Sequence, residues 1–477
     1  MMEVKPIDLS RIPTQNNQRR EVRFMKLKLR EKICYGIGDL GFDLFANFIG
    51  SYFMLFMTDV LGISPFVGGC IFGVARIWDA INDPLMGSIV EHGRPNKYGR
   101  YRKFMLYAFV PMTVFFILCF TAPNLPMAGK ILYIGAIYIF YGMSSTMYQV
   151  PYGSLSSVMS TSSQDYAVLG TFRDYGANIS GTVVNAIAVS MIMFFGGSMN
   201  SSRGFLFTAI SIGIVSCGCL FIGFIGTKEH VRVDPEPVPF KDCLKAFAAN
   251  RPSQILCIMI ICASLGMGFR MVWTSYYALY YLQNPDMIAR ILTITFSLPL
   301  VGLLFVPGLT KLIGKKAMLL IGNTCLVISG VIFLFAGNNI AWNTVAAVCC
   351  GICLSFTYSV IWGILPDTAN YGEWKTGIRA TGFIYAIGVF ALKLGSAIAN
   401  MGAGTYLQIL GYDPALGMEQ TVGCAHGIYL ANGWTSIVLG LIGSIVFLLF
   451  FKLDKATMDK VERELAERRA KKVGTAE

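Results

Sequence analysis

The sequence predicts an all-α, polytopic membrane protein with twelve transmembrane helices. Of its 477 residues, 55% are hydrophobic and only 14% are charged, whereas soluble domains carry about 25% charged residues. The apolar residues form separate segments of about 20 residues, which is the length needed to cross the ~30 Å hydrocarbon core of a bilayer. In chain order, the predicted spans are 37–58, 65–90, 104–122, 131–153, 174–196, 205–226, 254–282, 288–312, 317–336, 343–365, 381–408 and 431–452.

The distribution of Lys and Arg predicts the orientation of these spans. The N-terminal tail, the connection 91–103 and the connection 311–316 are basic, whereas 123–130, 284–287, 337–342 and 409–430 carry almost no Lys or Arg. Since basic loops remain on the cytoplasmic side, we expect both termini in the cytoplasm and the protein in the inner (plasma) membrane. The same distribution accounts for the net charge of +12, so we expect no nucleic-acid partner.

The two ends of the chain are predicted to be soluble. About 34 polar and basic residues precede the first apolar span, which does not fit a cleavable signal peptide. The last 25 residues are rich in Glu, Lys and Arg, which predicts a short solvated helix.

An internal repeat divides the chain into two halves. A shift of 215 residues places Pro84 on Pro299, Gly87 on Gly302, Gly99-Arg100 on Gly314-Lys315 and Pro151 on Pro366. Two six-helix bundles related by pseudo-two-fold symmetry are typical of the major facilitator fold, with substrate bound between the halves. The predicted boundaries are a basic tail 1–34, a first bundle 35–226, a middle loop 227–253, a second bundle 254–452 and a charged tail 453–477.

The segment from Ala75 to Pro84 contains the clearest candidate site. Arg76, Asp79 and Asp83 lie three or four residues apart, which places them on one face of the second predicted helix. Each charge at a bilayer centre costs about 2.5–3.5 kcal/mol, so intramembrane charges usually serve a function. Two carboxylates with nearby amide and hydroxyl oxygens predict a metal-ion site for a hard cation such as Na⁺. The alternative is a structural arrangement in which Arg76 and another base neutralise the two acids.

Several motifs together resemble the glycoside–pentoside–hexuronide:cation symporter family over residues 32–452. They are Tyr35-Gly36-x-Gly38-Asp39-x-Gly41-x-Asp43, Thr58-Asp59-Val60-x-Gly62, Ala75-Arg76-x-Trp78-Asp79-Ala80-Ile81-Asn82-Asp83-Pro84, Tyr98-Gly99-Arg100, Val150-Pro151-Tyr152-x-Ser154-Leu155 and Asp367-Thr368-x-x-Tyr371-Gly372-Glu373-x-Lys375. The resemblance implies cation-coupled symport of a sugar by alternating access. It implies a cation site at Asp79, Asn82, Asp83 and Thr146, with Na⁺ or H⁺ as coupling ion and no other cofactor.

The resemblance also implies a sugar site. Asp43 matches a carboxylate that accepts hydrogen bonds from sugar hydroxyls, and Arg173 matches the arginine paired with it. Gln149 replaces an aspartate of the family, which makes the cavity more positive and leaves an anionic sugar and a neutral pentoside both open. The predicted sugar-binding residues are Asp43, Gln149, Arg173, Tyr358, Trp362 and Lys393.

The charged loops are candidates for gating. The basic residues after the second span are expected to pair with acids of the other half in the outward-open state, although topology alone also accounts for basic loops. The gating candidates are Arg76, Glu91, Arg100, Asp367 and Glu373.

Other function classes fit less well. The sequence contains no GxxxxGK[ST] phosphate-binding loop and no nucleophile with a matching base, so we expect neither an ATP-driven pump nor an enzyme. A Na⁺-coupled lysophospholipid carrier of the same fold and a non-transporting sugar sensor remain as alternatives. The expected partners are a sugar, the coupling cation and the bilayer, with the protein acting as a monomer.

Overall fold

In a computed structural model, the described residues are almost entirely helical. They are 27–93, 95–160, 163–230, 240–378, 381–416, 419–453 and, in the tail, 457–458, 460–461, 463–465 and 467; they contain no β-strand. The helices are α1 Leu29–Phe48, α2 Pro65–His92, α3 Arg102–Cys119, α4 Met127–Met159, α5 Ser163–Gly196, α6 Ser202–Gly226, α7 Phe240–Ala249, α8 Arg251–Tyr276, α9 Asp286–Ile313, α10 Lys315–Ala336, α11 Ile340–Thr376, α12 Thr381–Ile409 and α13 Val422–Phe450.

The predicted helical membrane fold is confirmed. Ten helices of the described residues are long and apolar enough to cross a membrane. The remaining long helices, α1 and α2, are not among these ten because their charged side chains lower their mean hydropathy. We call α1–α6 the first half and α8–α13 the second half.

The two halves meet through two pairs of helices. Helix α5 of the first half packs on α9 of the second, and α2 packs on α12. Helix α1 packs on α5 and α6 within its own half, and α8 packs on α12 and α13 within the other. Helices α2 and α5, which carry charged side chains, therefore lie at the interface between the halves, and α1 packs beside α5.

Glycines allow α1 to approach α5 closely. A Cβ atom on Gly176 would lie 2.3 Å from the backbone oxygen of Gly36, and one on Gly36 would lie 2.6 Å from that of Phe172. Small residues are the usual means by which helices approach each other in lipid, where no hydrophobic force drives them together. The contact places the polar residues of α1 opposite those of α5.

The helices extend beyond the predicted spans. Helix α1 begins at Leu29 and continues through π-helical turns Ile49–Phe53 and Phe56–Val60, and α11 reaches Thr376. The extra turns are polar and project beyond the apolar segments on which the prediction was based. The middle connection, predicted as a loop, contains the ten-residue amphipathic helix α7.

The C-terminal tail differs from the prediction of a solvated helix. Its described residues are helical, but Val461 and Leu465 are buried. The indole nitrogen of Trp374 donates a hydrogen bond to Glu464 over 2.7 Å. The tail helix packs on the end of α11 because its few apolar residues fall four positions apart on one face.

We predict that Gly176→Ala destabilises the protein by about 1–3 kcal/mol, because the added methyl group forces α1 and α5 apart. The measurement is the thermal unfolding of purified protein in detergent. Gly170→Ala is the matched control on the same helix, since a Cβ there meets nothing within 4 Å. Equal melting temperatures for the two variants would contradict the close packing of α1 and α5.

Candidate functional site

Asp83 is the centre of the candidate cation site. One carboxylate oxygen accepts a hydrogen bond of 2.7 Å from the Thr146 hydroxyl of α4. The other forms an ion pair with the ammonium group of Lys393, which lies on α12 of the second half. Thus Asp83 connects two helices of its own half with one helix of the other half.

Asp79 lies one turn before Asp83 and has a different partner. Its carboxylate, which is buried, accepts a hydrogen bond of 2.9 Å from Arg76 three residues earlier on the same helix. The side-chain nitrogen of Asn82, between the two acids, is buried without a hydrogen-bond partner. In this structure each acid is therefore paired with a base, which is the arrangement of the structural alternative.

The side chains around Asp83 suit a monovalent cation. Carboxylate and hydroxyl oxygens are ligands for Na⁺, and the carboxylates also accept protons. The Lys393 ammonium is itself a monovalent cation held at this position. Within the described part of the chain, no group of three or more His, Cys, Asp or Glu side chains is arranged to hold a metal ion. The predicted ligands Asp79, Asn82, Asp83 and Thr146 stay a prediction.

Arg173 has a different partner from the predicted one, Asp43. Its Nε atom pairs with Asp39 over 3.2 Å, whereas no ion pair or hydrogen bond from the described residues reaches the Asp43 carboxylate. Asp39 is 4% exposed. Asp43 and Asp174 lie close enough to interact electrostatically with Arg173. Sequence reasoning missed Asp39, although its position four residues before Asp43 on one helix face was the available signal.

The other predicted sugar residues occupy separate places. Gln149 is a half-buried residue of α4. Tyr358 of α11 lines a small cavity inside the second half together with Arg270. Trp362, one turn later, stacks on Tyr385 of α12 with 6.5 Å between the ring centroids. Asp43 interacts electrostatically with Arg173, and Lys393 pairs with Asp83 at the candidate cation site. The assignment of all six residues to sugar binding stays a prediction.

We call the end of the molecule that holds Leu29, Arg100 and Lys315 the basic face. Two of the gating candidates there have partners that do not belong to the other half. Asp367 forms an ion pair of 2.6 Å with Lys315, and the Arg100 backbone nitrogen donates to Glu229. Glu373 lies in the last turn of α11, and the Glu91 side chain lies outside the described residues. The outward-open pairing proposed for these residues stays a prediction.

At the opposite face, the two halves are joined by hydrogen bonds. The Asp59 carboxylate of the first half accepts hydrogen bonds from Tyr280 and Tyr412 of the second. Thr58 is hydrogen-bonded to Tyr276 over 2.8 Å. Ser275 donates to the backbone of Ser51 over 2.9 Å. These groups, which sequence analysis did not single out, close the molecule at this face.

Comparison with known proteins identifies the family. Residues 34–455 match the family described as MFS/sugar transport protein. The chain belongs to this family. Among its relatives is the isoprimeverose transporter of Lactiplantibacillus pentosus, 31% identical over 434 residues that cover 89% of each chain. The putative sulfoquinovose importer of Escherichia coli is 29% identical and covers 95% of this chain and 97% of its own.

Solved structures of the MFS class share the fold. An inward-open structure of the xylose transporter XylE from E. coli has a TM-score of 0.63 at 14% identity, with coverage of 91% of this chain and 98% of the other. A bacterial homologue of the human lysosomal transporter Spinster, in an inward-facing conformation, has a TM-score of 0.65 at 12% identity and covers 91% and 97%. This confirms the predicted major facilitator fold.

For this MFS protein, we predict that Asp59→Asn weakens closure at the opposite face. A hydrogen bond to a charged group contributes about 1.5–3 kcal/mol, so loss of the carboxylate charge shifts the closed population by about tenfold or more. The measurement is the distance distribution between spin labels at positions 66 and 286, which lie on different halves at this face, in a cysteine-depleted chain.

Tyr281→Phe is the matched control for the Asp59 variant. Its ring stacks on Tyr429 within the second half, with 4.5 Å between centroids, and the stack does not involve Asp59. An unchanged distance distribution in Asp59→Asn would show that the carboxylate does not hold this face closed.

Proposed function

We propose that this protein is a secondary active transporter that couples uptake of a sugar or glycoside to entry of a monovalent cation, Na⁺ or H⁺. It acts as a monomer in the inner membrane, with the basic face in the cytoplasm. It performs no catalysis and binds no nucleic acid. The proposal is supported by membership of a sugar-transport family, by relatives named for isoprimeverose and sulfoquinovose, and by the paired acids between the halves.

The observation that carries the proposal is the ion pair between Asp83 and Lys393. It joins α2 of the first half to α12 of the second. We infer that a removable cation takes the place of the ammonium group. We infer that the Asp83–Lys393 ion pair belongs to the cation-free form of the carrier. When Na⁺ or a proton binds at Asp83, Lys393 is released and this link between α2 and α12 is broken.

Sugar transport is coupled to the cation because Asp83 pairs in turn with Lys393 and with the cation. A carboxylate without a partner in the low-dielectric interior is costly, so Asp83 requires one or the other positive charge at every stage. The cation-bound form favours the conformation that binds sugar, and by linkage the sugar stabilises cation binding equally. The cation-free form keeps its ion pair, which allows the carrier to return without substrate.

The two remaining candidate functions, a lipid carrier and a sugar sensor, differ from the proposed one in ways that can be tested. A lipid carrier requires an apolar lateral path, whereas Asp39, Asp43 and Arg173 form a polar cluster between α1 and α5. A sensor binds sugar but does not accumulate it. Uptake measurements distinguish all three functions.

The direct test is uptake of labelled glycosides, pentosides and hexuronides into proteoliposomes, with and without an inward Na⁺ gradient at fixed pH and clamped potential. We expect one sugar class to accumulate and Asp83→Asn to abolish the stimulation by cation. The matched control is Asp242→Asn, which removes a surface acid of α7. Accumulation driven only by a pH gradient would assign the site to protons, and no accumulation of any sugar would contradict the proposal.

A second prediction concerns Lys393. In Lys393→Gln the cation-free carrier leaves Asp83 without its ion-pair partner, so the empty carrier returns slowly. We expect net uptake to fall at least tenfold, whereas exchange of internal for external labelled sugar, which needs no empty return, is retained. Loss of exchange to the same extent would show that Lys393 is required for sugar or cation binding itself.

A further inference from the structure

We propose that the central cavity selects neutral glycosides and discriminates against anionic sugars; this rests on the function proposed above. The basis is the pairing of the basic side chains at mid-depth. An anionic sugar needs an uncompensated guanidinium or ammonium group to replace its hydration. The described helices provide four basic residues in this region, namely Arg76, Arg173, Arg270 and Lys393.

Arg173 carries its own counter-ion. Asp39 is almost fully buried and holds the Nε atom of Arg173 at 3.2 Å. The guanidinium group lies beside the ring of Tyr152, with 5.8 Å to the ring centroid, and 41% of the side chain is exposed. Arg173 therefore presents hydrogen-bond donors to the cavity, but its charge is compensated.

Arg76 and Lys393 are compensated in the same way. Arg76 pairs with Asp79 on its own helix, and Lys393 pairs with Asp83 across the halves. When a coupling cation releases Lys393, the cation itself neutralises Asp83. The freed ammonium group is then the one base among these three side chains that has lost its counter-ion.

Arg270 is directed away from the first half. Its guanidinium donates hydrogen bonds to Asn432 and Ser436 of α13 and to Ser329 of α10. It is 1% exposed and lies over the ring of Phe333. A substrate between the halves does not reach this side chain.

Two carboxylates remain in excess. Neither Asp43 nor Asp174 has an ion pair among the described residues, and both lie in the electrostatic field of Asp39 and Arg173. When both are ionised they outnumber Lys393, the one base that a coupling cation releases, so these groups together carry no net positive charge. The expectation from sequence, that replacement of an aspartate by Gln149 makes the cavity more positive, did not include Asp39, which pairs with Arg173.

A neutral sugar matches these groups. Its hydroxyls can donate to Asp43 and accept from the free edge of Arg173, while Gln149 has both a donor and an acceptor. None of these contacts requires a charge on the sugar. Asp39 is thus a positioning residue that orients Arg173 and suppresses its attraction for anions.

The test compares a matched pair of ligands, methyl β-glucoside and methyl β-glucuronide, which differ in the carboxylate at C6. Their affinities are measured by calorimetry on the purified full-length protein in saturating Na⁺, and their accumulation is measured in proteoliposomes. We expect the glucoside to bind at least tenfold more tightly. Asp39→Asn releases the charge of Arg173, so we expect the ratio of the two affinities to fall at least tenfold in that variant.

Asp174→Asn is the matched control, since it removes a nearby acid that does not pair with Arg173; its ratio should change less than that of Asp39→Asn. Equal or tighter binding of the glucuronide by the wild-type protein would overturn the proposal, and this comparison does not depend on the folding of any variant. An unchanged ratio in Asp39→Asn would overturn the role of Asp39. If neither sugar nor any other glycoside of the uptake panel binds or accumulates, the proposed function itself fails.

Discussion

The ion pair between Asp83 and Lys393 is the constraint on which the proposed mechanism depends. Among the described residues it is the ion pair that joins the two halves, and it links residues 310 positions apart in the chain. A charge without a partner is costly in an apolar interior, so the position of Lys393 is tied to the state of Asp83. In the proposed mechanism, a cation that binds at Asp83 displaces the ammonium group and so breaks the link between α2 and α12 that the ion pair provides.

Hydrogen bonds at the opposite face also join the two halves. Hydrogen bonds from Tyr280 and Tyr412 to Asp59 hold the ends of the two halves together while the ion pair is formed. The π-helical turns Phe56–Val60 and Tyr277–Tyr281 lie at this face, after α1 and α8 respectively. Such turns often mark functional positions in helices because they leave the regular hydrogen-bond ladder. The hydrogen bonds that close this face therefore lie in or next to the π-helical turns, where we expect the helices to bend when the conformation changes.

Much of the fold, and part of the site, could be predicted from the sequence. Apolar length and the repeat of Pro and Gly residues predicted the helices and the fold, and spacing alone placed Asp79 and Asp83 on one face. Arg76, the partner of Asp79, was part of the structural alternative. The partner of Asp83 could not be predicted, because Lys393 is brought to it only by the packing of α12 on α2. Arg173 selects Asp39 rather than Asp43 for a similar reason: the Gly36–Gly176 contact determines which turn of α1 faces it. The buried tail residues Val461 and Leu465 were missed because the composition of the tail is dominated by charge.

In the proposed mechanism Lys393 and the coupling cation compete for Asp83. This competition can be observed directly in cryo-EM structures of the protein in lipid nanodiscs, determined in saturating Na⁺ and in Na⁺-free buffer at the same pH. We expect Lys393 to pair with Asp83 without Na⁺; with Na⁺, we expect the Nζ atom to lie more than about 4 Å from the carboxylate and density to appear between Asp83 and Thr146. An intact Asp83–Lys393 pair with Na⁺ density elsewhere, or with no Na⁺ bound under conditions that support Na⁺-driven uptake, would contradict this mechanism.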